Sequence, residues 1–235
     1  MPSVRPDGRA ATEMRPVEMT LGYQEYAEGS VLISMGHTRV LCAATVEECL
    51  PPWRPNSSEG WVTAEFSMLP RSTRERTARH VSARETEISQ LIGRALRATV
   101  DLQLLGPRTV TVDCDVLQAD GGTRCAAITG GCVALALAIQ QLVREKRVPP
   151  TVLLPPVAAA SVAQLDGELL VDPCAEEDIR ANVDCVVVMN AEGLLVELEA
   201  PAARPFPRQQ LDHMLDLAAS TIADLTRLQH DLLAS

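Results

Sequence analysis

An α+β fold is predicted by three features of this sequence. Hydrophobic spacing switches between the two-residue period of strands and the 3.6-residue period of helices. The strand-like segments cluster between three long helical ones, and Pro- and Gly-rich stops separate them. Such a pattern layers sheets against helices around an apolar core. With 235 residues, 46% of them hydrophobic, the chain is long enough to bury one.

Tyr23 to Glu47 reads as strand-rich, with Val31-Leu32-Ile33 and Val40-Leu41-Cys42 on either side of a turn at Gly36-His37-Thr38. Pro51, Pro52 and Pro55 with Asn56-Ser57-Ser58 mark a loop, and Trp61 to Met68 a short strand. Arg71 to Ser82 has no apolar period and reads as an exposed loop. From Glu85, the residues Ile88, Leu91, Ile92, Ala95 and Thr99 make one face of an amphipathic helix predicted to end near Leu105-Gly106-Pro107. Val110, Val112, Cys114 and Val116 alternate with polar residues, as in a strand with one buried face. A tight loop, residues 118–122, leads into a helix over about 123–143, apolar nearly all round and therefore central. Beyond Pro149 to Pro156 come strands at 157–163, 168–172, 184–189 and 194–199, then a helix over 208–233. That proline-rich stretch divides the chain into segments 1–150 and 151–235, read as parts of one compact unit.

Composition narrows the function classes. The apolar fraction excludes a disordered chain. The apolar runs read as too short and interrupted to span a bilayer, and Met1 to Arg15 is polar and Arg-bearing, unlike a signal peptide. A soluble cytoplasmic protein without a membrane partner is expected. Seven Cys show no C-x-x-C pair, and the four His (37, 80, 213, 230) lack ligand spacing. Reduced, mostly buried thiols are expected rather than disulfides or zinc. Residues 71–97 hold seven Arg against three Glu, a local +4 in a chain of −10, so the remainder carries −14. An anionic partner must be met at that patch.

Three groups carry possible chemistry. Asp120-Gly121-Gly122-Thr123-Arg124 joins a strand to a helix. Two glycines permit positive φ and close backbone approach. The free N–H groups and dipole of the helix start then favour a phosphate, with Arg124 adding a forked donor. The competing reading is an ordinary turn with Thr123 as N-cap. Arg84 opens the amphipathic helix, where a cation opposes the dipole unless an anion binds; alternatively it is a surface residue offset by Glu85 and Glu87. Last, Glu176-Glu177-Asp178 and Asp184 could hold a hard cation such as Mg²⁺ or act as acid or base. Otherwise they are a solvated turn and a strand-end cap.

Together these segments resemble the ribonuclease PH family of phosphate-dependent 3′→5′ exoribonucleases. The likeness runs from Arg5-Pro-Asp-Gly-Arg9 and Arg15-Pro-Val through Ala27-Glu-Gly-Ser-Val31, Thr38-Arg-Val-Leu-Cys42 and Gly60-Trp-Val-Thr-Ala-Glu65. It continues in Met68-Leu-Pro-Arg71, Glu87-Ile88 and Leu91-Ile-Gly-Arg-Ala-Leu-Arg97. Most specific is Val112-Asp-Cys-Asp-Val-Leu-Gln-Ala-Asp-Gly-Gly-Thr-Arg124, followed by Ile128-Thr-Gly130. The resemblance implies a ribosomal-protein-S5-domain-2-like α+β fold in a hexameric ring, a trimer of dimers. It implies a phosphate site at Arg84, Gly122, Thr123 and Arg124, and essential acids Asp178 and Asp184 supported by Mg²⁺. Arg71, Arg74, Arg76 and Arg79 would face the RNA, a single-stranded 3′ end of a tRNA precursor. Inorganic phosphate would be the co-substrate and nucleoside diphosphates the product.

The sequence also departs from that pattern. The loop before Arg84 is about two residues short by family loop spacing, Ala83 replaces a Gly, and Cys125 stands where Thr is usual. Ile179-Arg180-Ala181-Asn182 replaces a small acidic stretch, putting a cation beside the acids, and Ala200-Pro-Ala-Ala-Arg204 replaces Gly-Thr-Ala-Glu-Gly. Two alternatives therefore accompany the enzyme reading. One is a weakened or inactive ring subunit acting as an RNA-binding scaffold. The other is a kinase-like phosphate binder, for which the P-loop Lys is missing.

Overall fold

A computed structural model describes residues 5–79 and 82–234. Strands β1 (Val17–Leu21), β2 (Gly29–Met35), β3 (Thr38–Glu47) and β4 (Trp61–Met68) precede α1 (Ala83–Arg97) and the short α2 (Leu102–Leu105). Next come β5 (Thr109–Gln118), α3 (Thr123–Arg144), β6 (Val157–Leu165), β7 (Glu168–Val171) and α4 (Ala175–Arg180). The last three are β8 (Val183–Asn190), β9 (Leu195–Glu199) and α5 (Arg208–Ala234). One sheet has the order β1-β2-β3-β5-β4 and the other β7-β6-β8-β9. All pairs are antiparallel except β4 with β5. The α+β reading holds.

The layering follows from the period of two. In β6 and β8, Val157, Ala159, Val186 and Val188 belong to the core shared with the first sheet, α1 and α3. Their neighbours Ala158, Ala160, Val162, Cys185 and Val187 turn to the other side, against Met214, Ala218, Ile222 and Leu225 of α5. Helix α3 is thus enclosed by both sheets, with every residue from Cys125 to Ala136 buried. By length and composition it would also cross a membrane, so the expectation that every apolar run is too short is corrected. Its apolar circumference is instead used inside the protein.

Other expectations shift too. The helix predicted to reach Leu105 stops at Arg97, because Val100 makes a bridge with Leu153 and Asp101 caps a separate short helix through the Gln103 and Leu104 N–H groups. The sequence pattern predicts neither strand β1 nor helix α4. The acidic run 176–178 is helical rather than a solvated turn, and Glu177 is buried. All seven Cys are free and six are buried. The loop over 71–82 is described except for His80 and Val81, which with Met1–Val4 and Ser235 lie outside the described residues.

The N-terminal arm is fastened by two buried arginines. Arg5 donates Nε and Nη2 to the two Glu177 oxygens at 2.8 and 2.9 Å. Its remaining donors reach the carbonyls of Val171, Asp172, Ala10 and Glu13. Arg15 grips Asp172 in the same bidentate way, at 2.8 and 2.7 Å, and reaches the carbonyls of Asp120 and Gly121. Planar guanidinium groups suit such sites, since all five donors can be satisfied without water.

Burial pushes the Glu177 carboxyl up, but the hydrogen bonds and charge of Arg5 and the Cys174 N–H outweigh it, holding the group below the usual glutamate range. Glu177→Gln should therefore lower stability by about 3 kcal/mol at neutral pH, because it takes from the buried Arg5 the carboxylate paired directly with it. A depressed native value means the contribution is complete above the ordinary glutamate range. It is lost as pH falls through the lowered one. Denaturant titrations of both proteins should converge in acid; a constant gap at every pH would assign the loss to packing.

Candidate active site

A cleft of about 450 Å³ lies where the first turn of α1, the start of α3, the β7–α4 corner and β8 meet. Its walls include Arg84, Gly122, Thr123, Arg124, Asp178 and Asp184. Every residue assigned to the phosphate site, and both acids, thus share one cleft, although they come from four elements. A larger hollow of about 860 Å³ lies toward the other end of α1, beside Trp53, Trp61 and Arg97, and contains none of them.

The glycine turn sets the floor. Gly121 has φ +76°, and a Cβ there would fall 2.4 Å from the Pro173 carbonyl oxygen. Gly122 has φ +67°, and a Cβ there would crowd Arg15 and Asp172 at 3.1 and 3.4 Å. Close approach is therefore needed, and in the structure it is to the chain's own β7–α4 corner. Gly122, not Thr123, occupies the N-cap position, and no side chain caps it. The ordinary-cap reading of Thr123 is corrected. What remains is a helix start whose N–H groups and dipole face the cleft, a ready anion site.

Arg84 is exposed at the second position of α1. Glu85 is committed elsewhere: it closes a capping box with Ser82 and accepts the Met68 N–H at 3.1 Å. Across the cleft, Arg124 donates Nη2 to Asp184, and Nη1 to Glu199 at 3.0 Å. Asp178 is pushed above the usual aspartate range, first by burial and then by the charge of Asp184, while Arg124 and Arg84 pull it down. Two carboxylates and two guanidinium groups are thus electrostatically coupled around one space. Among the described residues, no three His, Cys, Asp or Glu side chains form a metal cage. Two carboxylates with open space beside them suit a hard cation that takes its other oxygens from water and phosphate.

Arg71, Arg74, Arg76 and Arg79 are all exposed on the loop before α1. Thr73, Thr77 and Ala78 of that loop line the cleft and its four arginines do not; the charge of Arg79 acts on Asp115 of β5. The substituted segments leave the acids in place. Arg180 pairs with Asp166 at 3.2 Å, a partner outside the cleft. Asp184 donates its backbone N–H to Pro201, and Ala203 donates to Asn182, so the altered 200–204 stretch braces the start of β8. Burial pushes the Cys125 thiol up to about 12; it is a neutral wall residue and no nucleophile. The sequence reading offers Glu177 as a possible cation ligand and Arg5 and Arg15 as motif residues, and singles out neither Asp172 nor Glu199; the structure makes Arg5, Arg15, Asp172 and Glu177 supports of the cleft instead.

Domain 1 of the 3′ exoribonuclease family matches residues 13–139, and domain 2 matches residues 155–221. The chain is 52% identical over 236 residues to ribonuclease PH of Moorella thermoacetica, covering 98% of this chain and 94% of that one. It is 50% identical over 236 residues to ribonuclease PH of a Synechococcus species, covering 97% and 98%. In structure it resembles rice (Oryza sativa) Rrp46, with a TM-score of 0.81 at 19% identity, covering 97% of this chain and 100% of that one. It also resembles the Archaeoglobus fulgidus exosome with RNA bound to the active site, with a TM-score of 0.81 at 20% identity, covering 95% and 91%. These last two likenesses are of fold. With both domains matched in order and about half of all positions shared with relatives along nearly their whole length, the chain belongs to the 3′ exoribonuclease family, that of ribonuclease PH.

Proposed function

We propose that this protein is a phosphate-dependent 3′→5′ exoribonuclease that trims RNA 3′ ends, those of tRNA precursors included, as nucleoside diphosphates. The observation that carries the reading is the convergence of Arg84, Gly122-Thr123-Arg124, Asp178 and Asp184 on one cleft. Inorganic phosphate sits on the α3 N-terminus between the two guanidinium groups. One of its oxygens attacks the terminal phosphodiester in line, the P–O3′ bond breaks, and the shortened RNA leaves with a free 3′ hydroxyl. The protein's part is to hold nucleophile and phosphodiester in register and to offset the charge gathering on the phosphoryl oxygens. Asp178 and Asp184 would hold Mg²⁺, which would add positive charge at that same point.

The likeness in fold to exosome subunits supports assembly of this chain into a ring of copies, for which a hexamer is the proposed size. Reduced, buried thiols suit a cytoplasmic setting. A silent scaffold would have no use for two arginines and two acids around one open cleft, and no observation favours it.

The direct test is a 3′-tailed RNA incubated with and without inorganic phosphate. Shortening should require phosphate and release diphosphates; equal degradation in phosphate-free buffer, with monophosphate products, would reject phosphorolysis.

Asp184→Asn should cost roughly a hundredfold or more in turnover, the scale of removing one group that stabilises a transition state electrostatically. RNA affinity should hardly change, because the exposed arginines of the loop are untouched. Wild-type turnover across a Mg²⁺ titration would remove Asp184 from the chemistry.

Replacing Arg74, Arg76 and Arg79 with Ala should weaken RNA binding at low salt and flatten its salt dependence. Every RNA phosphate that no longer meets an arginine lowers the slope of log K against log salt by roughly 0.7 for a single strand. A very short oligonucleotide, which need not reach the loop, should be trimmed almost as before. If affinity and slope hold while the protein changes size on a gel-filtration column, the loop joins subunits instead.

A further inference from the structure

Glu199 lies at the last position of β9 and pairs in register with Val186 of β8. Cross-strand partners share a face, and so do residues two apart along a strand. Asp184, Val186 and Glu199 therefore stand on one side of the second sheet, and Asp184 and Val186 line the cleft. The same alternation along β9 puts Glu197 on that side, where it pairs with Arg94 of α1 at 2.7 Å. Each carboxylate of this strand thus meets a different helix. Glu197 meets α1 well away from its first turn, whereas Glu199 meets the one arginine at the start of α3.

Arg124 consequently has both terminal nitrogens engaged by carboxylates: Nη2 by Asp184 and Nη1 by Glu199 at 3.0 Å. A phosphate oxygen asks of a guanidinium the same geometry as a carboxylate oxygen. These bonds use one N–H on each terminal nitrogen of a group with five donors, so phosphate arriving on the glycine turn contends with a carboxylate at whichever terminal nitrogen it approaches. Asp184 sits on the cleft wall, while Glu199 is the more exposed of the two, its side chain retaining 37% of its accessible surface against 23% for Asp184. Glu199 can give way to water at little cost. Around the anion site the formal charges are two positive (Arg84, Arg124) and three negative (Asp178, Asp184, Glu199), so removing one carboxylate cancels the net negative charge that an incoming anion meets.

We propose that Glu199 sets the phosphate requirement of this enzyme by competing with phosphate for Arg124. In the free enzyme it holds the guanidinium extended over the turn. On binding, phosphate replaces it at Nη1, so the apparent affinity for phosphate is weaker than the turn and the two arginines would give by themselves. This rests on the phosphorolytic reading above and adds a residue whose role is to tune it.

The test uses the full chain and two substitutions, with inorganic phosphate as the probe. Glu199→Gln keeps the size and one oxygen acceptor but removes the charge. It should lower both the calorimetric Kd for phosphate without RNA and the KM for phosphate during trimming by roughly three- to fivefold, the scale of one partly exposed charge pair. Glu197→Gln removes the same charge from the same face but frees Arg94 instead, and should leave phosphate affinity where it was. Unchanged or weaker phosphate binding in Glu199→Gln, with diphosphates still produced, overturns the competition while leaving phosphorolysis intact. Equal tightening in both variants also overturns it, assigning the effect to net charge. A wild-type protein that neither binds phosphate nor forms diphosphates overturns both readings together.

Discussion

The bidentate pair between Arg15 and Asp172 is the constraint on which the cleft depends. Asp172 has φ +49°, a conformation uncommon for a residue with a side chain, and it begins the turn from β7 toward α4. Its carboxylate takes Nε and Nη2 of Arg15 together with the Arg15 backbone N–H, while its carbonyl accepts from Arg5 and Arg9. The same Arg15 guanidinium reaches back to the carbonyls of Asp120 and Gly121. One side chain thus ties the arm, the glycine turn on the cleft floor and the corner before the helix that carries Asp178. Gly121 and Gly122 lack side chains because this junction leaves no room for them. Thr38 completes it, accepting the Asp120 N–H at 2.9 Å and donating to Gly121 at 2.6 Å.

Above that junction, two periodicities place the chemistry. The period of two in β8 turns Val186 and Val188 toward α3, which carries Asp184 to the same side, while Cys185 and Val187 face α5. A shift of one residue in register would send Asp184 to the α5 side and lose the site outright. The period of 3.6 in α1 buries Ile88, Leu91, Ile92 and Ala95 against β4 and α3 and leaves Arg84 at the exposed N-terminal end. Neither residue is placed by its own contacts alone. Their positions follow from apolar faces that must be covered, so the site is as rigid as the core beneath it.

How much of this was legible follows from the distances in sequence. The strands over 61–68 and 110–116 and the long helices were readable because their patterns are local and strongly periodic. The helix end at Arg97 was not, because it depends on a bridge to Leu153, more than fifty positions away. The cleft residues were nameable from motif and resemblance, and Gly121-Gly122 was already suspect on conformational grounds. Their shared support was hidden: Arg5 and Glu177 are 172 positions apart, and Arg15 and Asp172 are 157 apart. An acidic triplet such as Glu176-Glu177-Asp178 looks solvated until a buried arginine from the far end of the chain meets its middle member. No local rule separates Glu177, a structural anchor, from Asp178 beside it, which faces the cleft.

The distribution of charge explains why the exposed loop and the cleft are built differently. A chain of net −10 repels a polyanion at long range, and the exposed arginines of the loop before α1 are a local exception whose charge is open to water. Within the cleft the arginines are instead matched by carboxylates. A buried guanidinium without a counter-ion would be costly to fold, and Asp184 and Glu199 hold that of Arg124 in position at the cleft. Capture by exposed surface cations is sensitive to salt and tolerant of sequence. Recognition by paired, partly buried ones is more selective, because an entering anion contends with carboxylates already fixed on the same guanidinium.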